Sequence, residues 1–295
     1  MATFYDNSHH FMGYEFPNAN SAWVYLYQAL NEYGNISSPR GLKVKETMFC
    51  DIVITNPMDN LVYNKLRGLS PIYIAKEYAW YKSGSRKVED AIKLSKFWGT
   101  LANDDGTVNS NYGAYIFVPE EDGKSVWEKT IEILKNDPDS RHGVIQIPIM
   151  PARGSKDTPC TSSIQYQIRD NKLNCTVYMR STDIILGFPI DIFQFTMWQI
   201  EMAKELGIDL GFMRFISGNI HCYEKNWLEN IDGDCFLLNN YNESHVTDKE
   251  IVDKCSDEFK QDLVTLASDI PKEEKRDKLN TDILKYMFDN MKIWK

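Results

Sequence analysis

The sequence predicts an α+β fold. Helical periodicity fills the first third of the chain, segments with strand periodicity fill the middle, and helical periodicity returns on both sides of the last strand. Helices before, between and after a block of strands do not make the regular alternation of a βαβ repeat. Apolar residues occupy 43% of the 295 positions, enough for a real core, and no repeat, low-complexity tract or Ser/Gly linker divides the chain. Residues 1–295 therefore read as one domain, with a core at about 21–240 and a polar, helical extension over 241–295.

Trp23, Leu26, Tyr27 and Leu30 recur at helical spacing, with Gly34 as a C-cap, which predicts an amphipathic helix over about 21–33. Ser37 to Leu42, with Pro39 and Gly41, reads as a loop. Ile72, Ala75, Ala79 and Trp80 predict a second helix that carries Glu77 and ends at Ser83-Gly84-Ser85. A third helix spans about 124–135 and stops at Asn136-Asp137-Pro138-Asp139. Strand patterns follow at 143–149, 163–168 and 173–178, with Asn171-Lys172 as a hairpin turn between the last two. Ile192, Phe195, Ile200, Ala203 and Leu206 fit a largely buried helix over about 191–206, ended by Gly207. A further strand is expected over 215–223, then helices near 258–268 and 281–294.

A net charge of −9 and a pI near 5.2 argue against a surface that tracks a nucleic-acid backbone, while leaving room for a pocket that holds one phosphate. Cys50, Cys160, Cys175, Cys222, Cys235 and Cys255 form no CxxC pair and no Cys/His cluster at metal-ligand spacing, so no metal site and no disulfide framework is expected. The first residues lack the features of a signal peptide, and Asp183, Asp191 and Gln194 interrupt the most apolar stretch. A cytoplasmic protein with reduced thiols and no membrane partner is the expectation.

No GxxxxGK[ST], GxGxxG or HExxH is present. Cys160, in Thr158-Pro159-Cys160-Thr161 at the entrance to a strand, is either a nucleophile or a small buried hydrophobe. From Arg180 to Asp191 an arginine, a serine, two aspartates and Gly187-Phe188-Pro189 lie between an apolar strand and an apolar helix. That segment fits either a salt bridge between Arg180 and Asp183 or the wall of a pocket. On local sequence alone, Glu77 reads equally as an exposed helix residue and His221 as a half-buried histidine.

In order along the chain, Lys135 to Arg141, Pro159-Cys160, Arg180-Ser181-Thr182-Asp183 with Leu186-Gly187-Phe188-Pro189, and His221-x-Tyr223 resemble the motifs of the thymidylate synthase family. The resemblance runs from about Trp23 to Tyr223. It implies a mixed β-sheet packed with helices, one sheet face pairing two copies into a homodimer, a pyrimidine nucleoside monophosphate as substrate and 5,10-methylenetetrahydrofolate as co-substrate. By position, Cys160 would be the nucleophile, Glu77 the acid/base carboxylate, and Arg40, Arg141, Arg180 and Ser181 the phosphate ligands, with Arg141 donated across the dimer. His221 and Tyr223 would hold the sugar, Trp98, Asp183 and Gly187 the folate, and Tyr112 would stand near the reacting centre. The arginine cluster would also favour the Cys160 thiolate.

Departures from the family pattern carry further implications. Asp191 stands where the family's base-reading asparagine stands, and a carboxylate suits the amino group of cytosine better than O4 of uracil. The same change marks the branch of the family that hydroxymethylates deoxycytidylate. His142 replaces the second of two paired arginines, Thr161 a histidine, Met179 a glutamine and Asn219 an aspartate. The folate-closing tail has no counterpart in 286–295, which makes water the expected final nucleophile. The competing readings are a folate-dependent dCMP or dUMP methyltransferase, a CMP hydroxymethylase, a cysteine hydrolase on Cys160 and His221, and a noncatalytic nucleotide-binding protein.

Overall fold

Period-two alternation in the middle of the chain becomes a set of strands whose buried side chains all face one helical layer. In the computed structural model, which describes residues 14–149, 155–227 and 253–291, eight strands form one mixed sheet. They are β1 (Tyr14–Phe16), β2 (Asn35–Ser37), β3 (Val44–Ile54), β4 (Val144–Gln146), β5 (Thr161–Arg169), β6 (Lys172–Met179), β7 (Thr182–Asp183) and β8 (Asp209–Tyr223). The order is β1-β3-β8-β6-β5-β4, with β2 on β3 and β7 on β8. The architecture is α+β, as expected.

The main helices are α1 (Ala19–Tyr33), α2 (Pro71–Ser83), α3 (Val88–Ile92), α4 (Phe97–Thr100), α5 (Gly113–Ile116), α6 (Val126–Asn136) and α7 (Phe188–Leu206). Asn18 caps α1 by accepting from Ser21 N, Ser70 caps α2 ahead of Pro71, and Ser125 with Glu128 closes a capping box on α6. Burial of Ile192, Phe195, Trp198 and Met202 turns α7 into the central helix of the core, against Leu173, Cys175 and Val177 of β6 and Met213 and Phe215 of β8. The β6 and β8 strands run parallel, and α7 is their crossover.

Several boundaries differ from the sequence reading for physical reasons. The hairpin turn is Asp170-Asn171, both left-handed at φ 51 and 59, and Lys172 already pairs with Arg169. Gly34 caps α1 through its N–H to Leu30 O, but in extended conformation at φ −69. The β8 strand begins at Asp209, ahead of the predicted start. The β3 strand has no counterpart in the sequence reading, because the polar run Lys45-Glu46-Thr47 fills much of its first half and its second half, Asp51 included, is buried on both faces. The last helix ends at Asn290, and the rest of the predicted segment reaches residues outside those described.

A paired kink in β3 and β8 decides which residues reach the cleft. Met213, Phe215 and Ser217 of β8 are buried under the helices, whereas beyond Gly218 the buried ones are Ile220 and Cys222. Phe49, left-handed at φ 65, lies between Met48 and Cys50, which pair with Asn219 and Ser217 on either side of that slip. Asn219, His221 and Tyr223 are thereby turned away from the core side. On the opposite sheet face, Tyr178, Phe212 and Ile216 are partly exposed beside an Arg214–Asp51 pair in which Arg214 Nε donates to Asp51 Oδ1 at 2.8 Å.

The polar C-terminal helices (Asp257–Ala267 and Asp282–Asn290) pack against α2 and are stitched by buried polar groups. Asp262 accepts from Asn280 N and Nδ2 through Oδ1 and from Thr281 N and Oγ1 through Oδ2. Lys275 Nζ donates to the carbonyls of Thr265, Leu266 and Ser268 and so closes the end of the first of these helices. Among the described residues no helix is long and apolar enough to cross a membrane, and Cys50, Cys160, Cys175, Cys222 and Cys255 are free thiols. Cys235 lies outside them.

One buried bond ties the first helix to the segment that follows β7: Trp23 Nε1 donates to Ile184 O at 2.8 Å. A Trp23→Phe variant keeps most of the packing but strands that carbonyl. Urea unfolding should show a loss of about 1–3 kcal/mol.

Candidate active site

The loop before β5 and the end of β6 place Cys160. A register shift between Thr161 and Ser163 splays the two strands, and Arg180 N donates to Cys160 O at 2.8 Å across the opening. The Arg180 side chain is pinned over the same loop, with Nε donating to Pro159 O at 2.9 Å and Nη2 to Thr158 O at 2.8 Å. Its Nη2 also lies 3.5 Å from Cys160 Sγ, and Ser181 Oγ lies 3.9 Å from that sulfur and 3.0 Å from Arg180 Nη1. Burial pushes the Cys160 thiol up; Arg180 and Ser181 pull it down and Asp191 adds to the rise, so the net direction is upward. Arg180 and Ser181 thus act in the expected thiolate-favouring direction, and burial outweighs them within one chain.

Three carboxylates close the other wall. Glu77 on α2 is 4% exposed, and burial, then Asp191, push its pKa up to about 8. Asp191, in the first turn of α7, is pushed up to about 7 by burial and by Asp183. Tyr73 Oη donates to Glu77 Oε1 at 3.2 Å and Gln194 Nε2 to Glu77 Oε2 at 3.4 Å. Asp183 Oδ1 accepts from Ile185 N and Leu186 N at 2.7 and 2.8 Å, while its buried Oδ2 has no hydrogen-bond partner among the described residues. Gly187 fits between two of these groups, since a Cβ there would fall 3.0 Å from Asp183 O and 3.3 Å from Asp191 Oδ2.

At the far end, Asn219 Nδ2 donates to Glu46 Oε2 at 3.0 Å, which turns Asn219 Oδ1 toward His221 Nδ1 at 3.1 Å. His221 therefore carries its proton on Nδ1 and offers Nε2 as an acceptor. Burial holds its pKa below the ordinary value, with Asp183 and Glu46 opposing that and Arg180 and Arg40 reinforcing it. Arg40, in a left-handed conformation at φ 54, donates through Nη2 to Tyr223 Oη at 3.4 Å.

The structure thus brings Cys160, Glu77, Asp183, Asp191, Arg180, Ser181, His221, Tyr223, Arg40 and Gly187 to one cleft. Trp98 joins through its Nε1, which donates to Tyr73 Oη at 3.3 Å. Tyr112 is buried against Tyr81, with rings 5.4 Å apart, and Gly113 permits that approach because a Cβ there would collide with Tyr81 O at 1.6 Å. Asp157 ties the Tyr112 loop to the Cys160 loop by accepting from Asn109 N at 2.6 Å and Ser110 N at 2.8 Å. Arg141 is not brought in: it is exposed, and its carbonyl accepts from Gln165, roughly 16 Å along the extended strand from Cys160.

Tyr73, Gln194, Arg67 and Glu46 escaped the sequence reading. Helical spacing could have found two of them, since Tyr73 precedes Glu77 by one turn and Gln194 follows Asp191 by one turn. Arg67 is 3% exposed and faces Asp183 and Tyr73, with burial bringing its pKa down to about 10; nothing in its neighbourhood marks it. The buried Asp183 Oδ2, without a hydrogen-bond partner among the described residues and close to Gly187, is a fit for the polar ring of a folate.

A thiol, carboxylates that exchange protons in the neutral range and guanidinium groups around one cleft define an enzyme for nucleophilic and acid–base chemistry on an anionic substrate. A family model described as thymidylate synthase matches residues 63–282. The deoxycytidylate 5-hydroxymethyltransferase of Enterobacteria phage T4 is 29% identical over 253 residues, covering 78% of this chain and 94% of that protein. Its counterpart from Enterobacteria phage T2 is 30% identical over 223 residues, 69% and 85% of the two chains. A deoxyuridylate hydroxymethyltransferase of Bacillus phage SP01 is 27% identical over 229 residues, 71% of this chain and 59% of that one. The chain belongs to the thymidylate synthase family and is a folate-dependent one-carbon transferase acting on pyrimidine nucleotides.

The raised carboxylates carry a stability consequence. Glu77 holds its proton more tightly in the folded state (about 8 against an ordinary 4.5), so the folded protein binds more protons than the unfolded chain between those values and stability falls as pH rises through that window. Glu77→Gln, a neutral isostere, should flatten the decline. The variant should match the parent near pH 5 and exceed it above pH 8 in urea midpoint.

Proposed function

We propose that the protein is a deoxycytidylate 5-hydroxymethyltransferase, converting dCMP, 5,10-methylenetetrahydrofolate and water to 5-hydroxymethyl-dCMP and tetrahydrofolate. The observation that carries this reading is the buried Asp191 at the head of α7, whose pKa of about 7 keeps a proton available at the base-reading position. The Asp191 carboxyl can accept from the N4 amino group of cytosine and share its proton with N3, whereas as a carboxylate it can only accept and would face the O4 lone pairs of uracil. The two phage relatives that act on deoxycytidylate and the one that acts on deoxyuridylate make the base the point at issue.

The mechanism follows from the side chains. Arg40, Arg180 and Ser181 bind the phosphate, and His221 Nε2 with Tyr223 holds the sugar hydroxyl. Cys160 Sγ adds to C6 of the pyrimidine, which makes C5 a carbon nucleophile. The folate co-substrate, held by Trp98, Asp183 and Gly187, supplies a one-carbon unit at the oxidation level of formaldehyde. Once C5 has lost its proton and carries that carbon as a methylene, Glu77 takes a proton from the water that adds there. Departure of Sγ from C6 restores the ring. Tyr112 packs beside the reacting centre. Binding the substrate phosphate next to Arg180 leaves the sulfur more buried, so a second positive group is needed. We assign it to the partner subunit's Arg141 in a homodimer formed through the open sheet face that bears Tyr178, Phe212 and Ile216.

Incubation with methylenetetrahydrofolate and dCMP, dUMP or CMP tests the reading by product mass and by absorbance of dihydrofolate. Hydroxymethyl-dCMP without dihydrofolate is expected, and Cys160→Ala should abolish it. Asp191→Asn should shift the preference toward dUMP by about 10- to 100-fold in kcat/KM. A methylated product with dihydrofolate would identify a methyltransferase, and wild-type turnover of dUMP alone would overturn the reading of Asp191.

A further inference from the structure

One hydroxyl in direct contact with the acid–base carboxylate has no part in the scheme above. Tyr73 lies one turn before Glu77 on α2, and its Oη sits between two groups that fix the direction of its proton. An indole N–H can only donate, so Trp98 Nε1, 3.3 Å away, occupies an acceptor lobe of the hydroxyl. The Tyr73 O–H is then directed at Glu77 Oε1, 3.2 Å away. From the other side Gln194 Nε2, which also donates to Ile74 O at 3.2 Å, donates to Glu77 Oε2 at 3.4 Å. The carboxylate is therefore gripped by one donor on each oxygen, from its own helix and from α7.

The surroundings make those donors necessary. Asp191 faces Glu77 from α7, with Asp183 behind it, and Tyr81 lies on the same helix. Arg67, the buried cation of this wall, acts on Asp183 and Tyr73 and has no resolved effect on Glu77 itself. Burial and Asp191 both favour the protonated acid, and only the hydrogen bonds from Tyr73 and Gln194 oppose them. A base that never ionises cannot take a proton from water.

We propose that Tyr73 is a positioning residue for proton transfer, orienting Glu77 and favouring its ionised form against the surrounding burial through a Trp98–Tyr73–Glu77 hydrogen-bond chain. The inference rests on the reading of Glu77 as the general base. It gives Trp98 a second task besides lining the folate side: its indole sets which way the tyrosine proton points.

The test uses the full chain labelled with [5-13C]glutamate, in which the Glu77 carboxyl resonance is the one lost in Glu77→Gln. Tyr73→Phe removes a donor to the carboxylate, so the midpoint of that titration should rise by about one pH unit or more. Site-specific 3-fluorotyrosine at position 73 keeps the shape and strengthens the donor, so it should lower the midpoint and serves if the phenylalanine variant does not fold. In turnover of dCMP, the limb that needs ionised Glu77 should move to higher pH in Tyr73→Phe, with kcat at pH 7 down by about tenfold and KM for dCMP unchanged. An unmoved midpoint in both folded variants would overturn the assignment, as would a KM rise with an unshifted limb. A shifted midpoint in a protein that makes no hydroxymethyl product would instead overturn the functional reading and leave the hydrogen-bond chain standing.

Discussion

Three carboxylates share one water-poor cleft, and much of the fold exists to make that tolerable. Moving an isolated ionised carboxylate into a low-dielectric interior costs on the order of tens of kcal/mol in the idealised limit, so such groups either find donors or keep their protons. Both outcomes occur here. Asp183 has two backbone N–H donors from the turn into α7, with His221 and Arg67 nearby. Glu77 and Asp191 have too few donors and stay partly protonated near neutrality. A cleft that holds protons at neutral pH can both give and take them, which is the property one-carbon transfer to a pyrimidine requires.

The sheet and its crossover gather these groups from distant parts of the chain; Gln194 and Glu77 alone are 117 positions apart. The parallel pair β6 and β8 opens a cleft at its carboxyl end, where β7 and the start of α7 deliver Asp183 and Asp191. The slip at Gly218 turns His221 and Tyr223 away from the helical layer, and without it the alternation would bury them. The C-terminal helices act from behind, pressing on the outer face of α2. The acid wall is thus clamped between the core helix and a C-terminal unit held by its own buried polar bonds.

Clean alternation made β5 and β6 readable, and apolar residues at helical spacing did the same for α7, because in those elements local pattern and tertiary burial agree. The β3 strand hid because its buried half is covered on both faces and much of its other half is polar, so no period-two pattern survives. Cys160, Arg180, Asp183, Asp191 and His221 were legible through the order of short motifs. Glu46 and Arg67 were not, since their importance comes from contacts made only after folding, with Asn219 in one case and with Asp183 and Tyr73 in the other. The balance at the Cys160 thiol was illegible for a related reason: sequence places Arg180 near the sulfur, but only the fold shows how far burial opposes it.

Base selection under the proposed function is a property of a pair of residues and their packing. An aspartate in the first turn of a helix is normally favoured as an anion, because it sits at the positive end of the helix dipole. Asp191 goes the other way: burial outweighs the dipole, and Asp183 adds repulsion. Gly187 allows the two acids to sit so close, since any side chain there would press on Asp183 O and on the Asp191 carboxylate. The proton that would pair with cytosine is therefore held in place by the compactness of the 183–191 segment, and that segment is anchored to α1 by the bond from Trp23 to Ile184 O. Loosening the anchor would admit water, let Asp191 ionise and weaken its contact with N3 of cytosine without any change in the residues that touch the substrate.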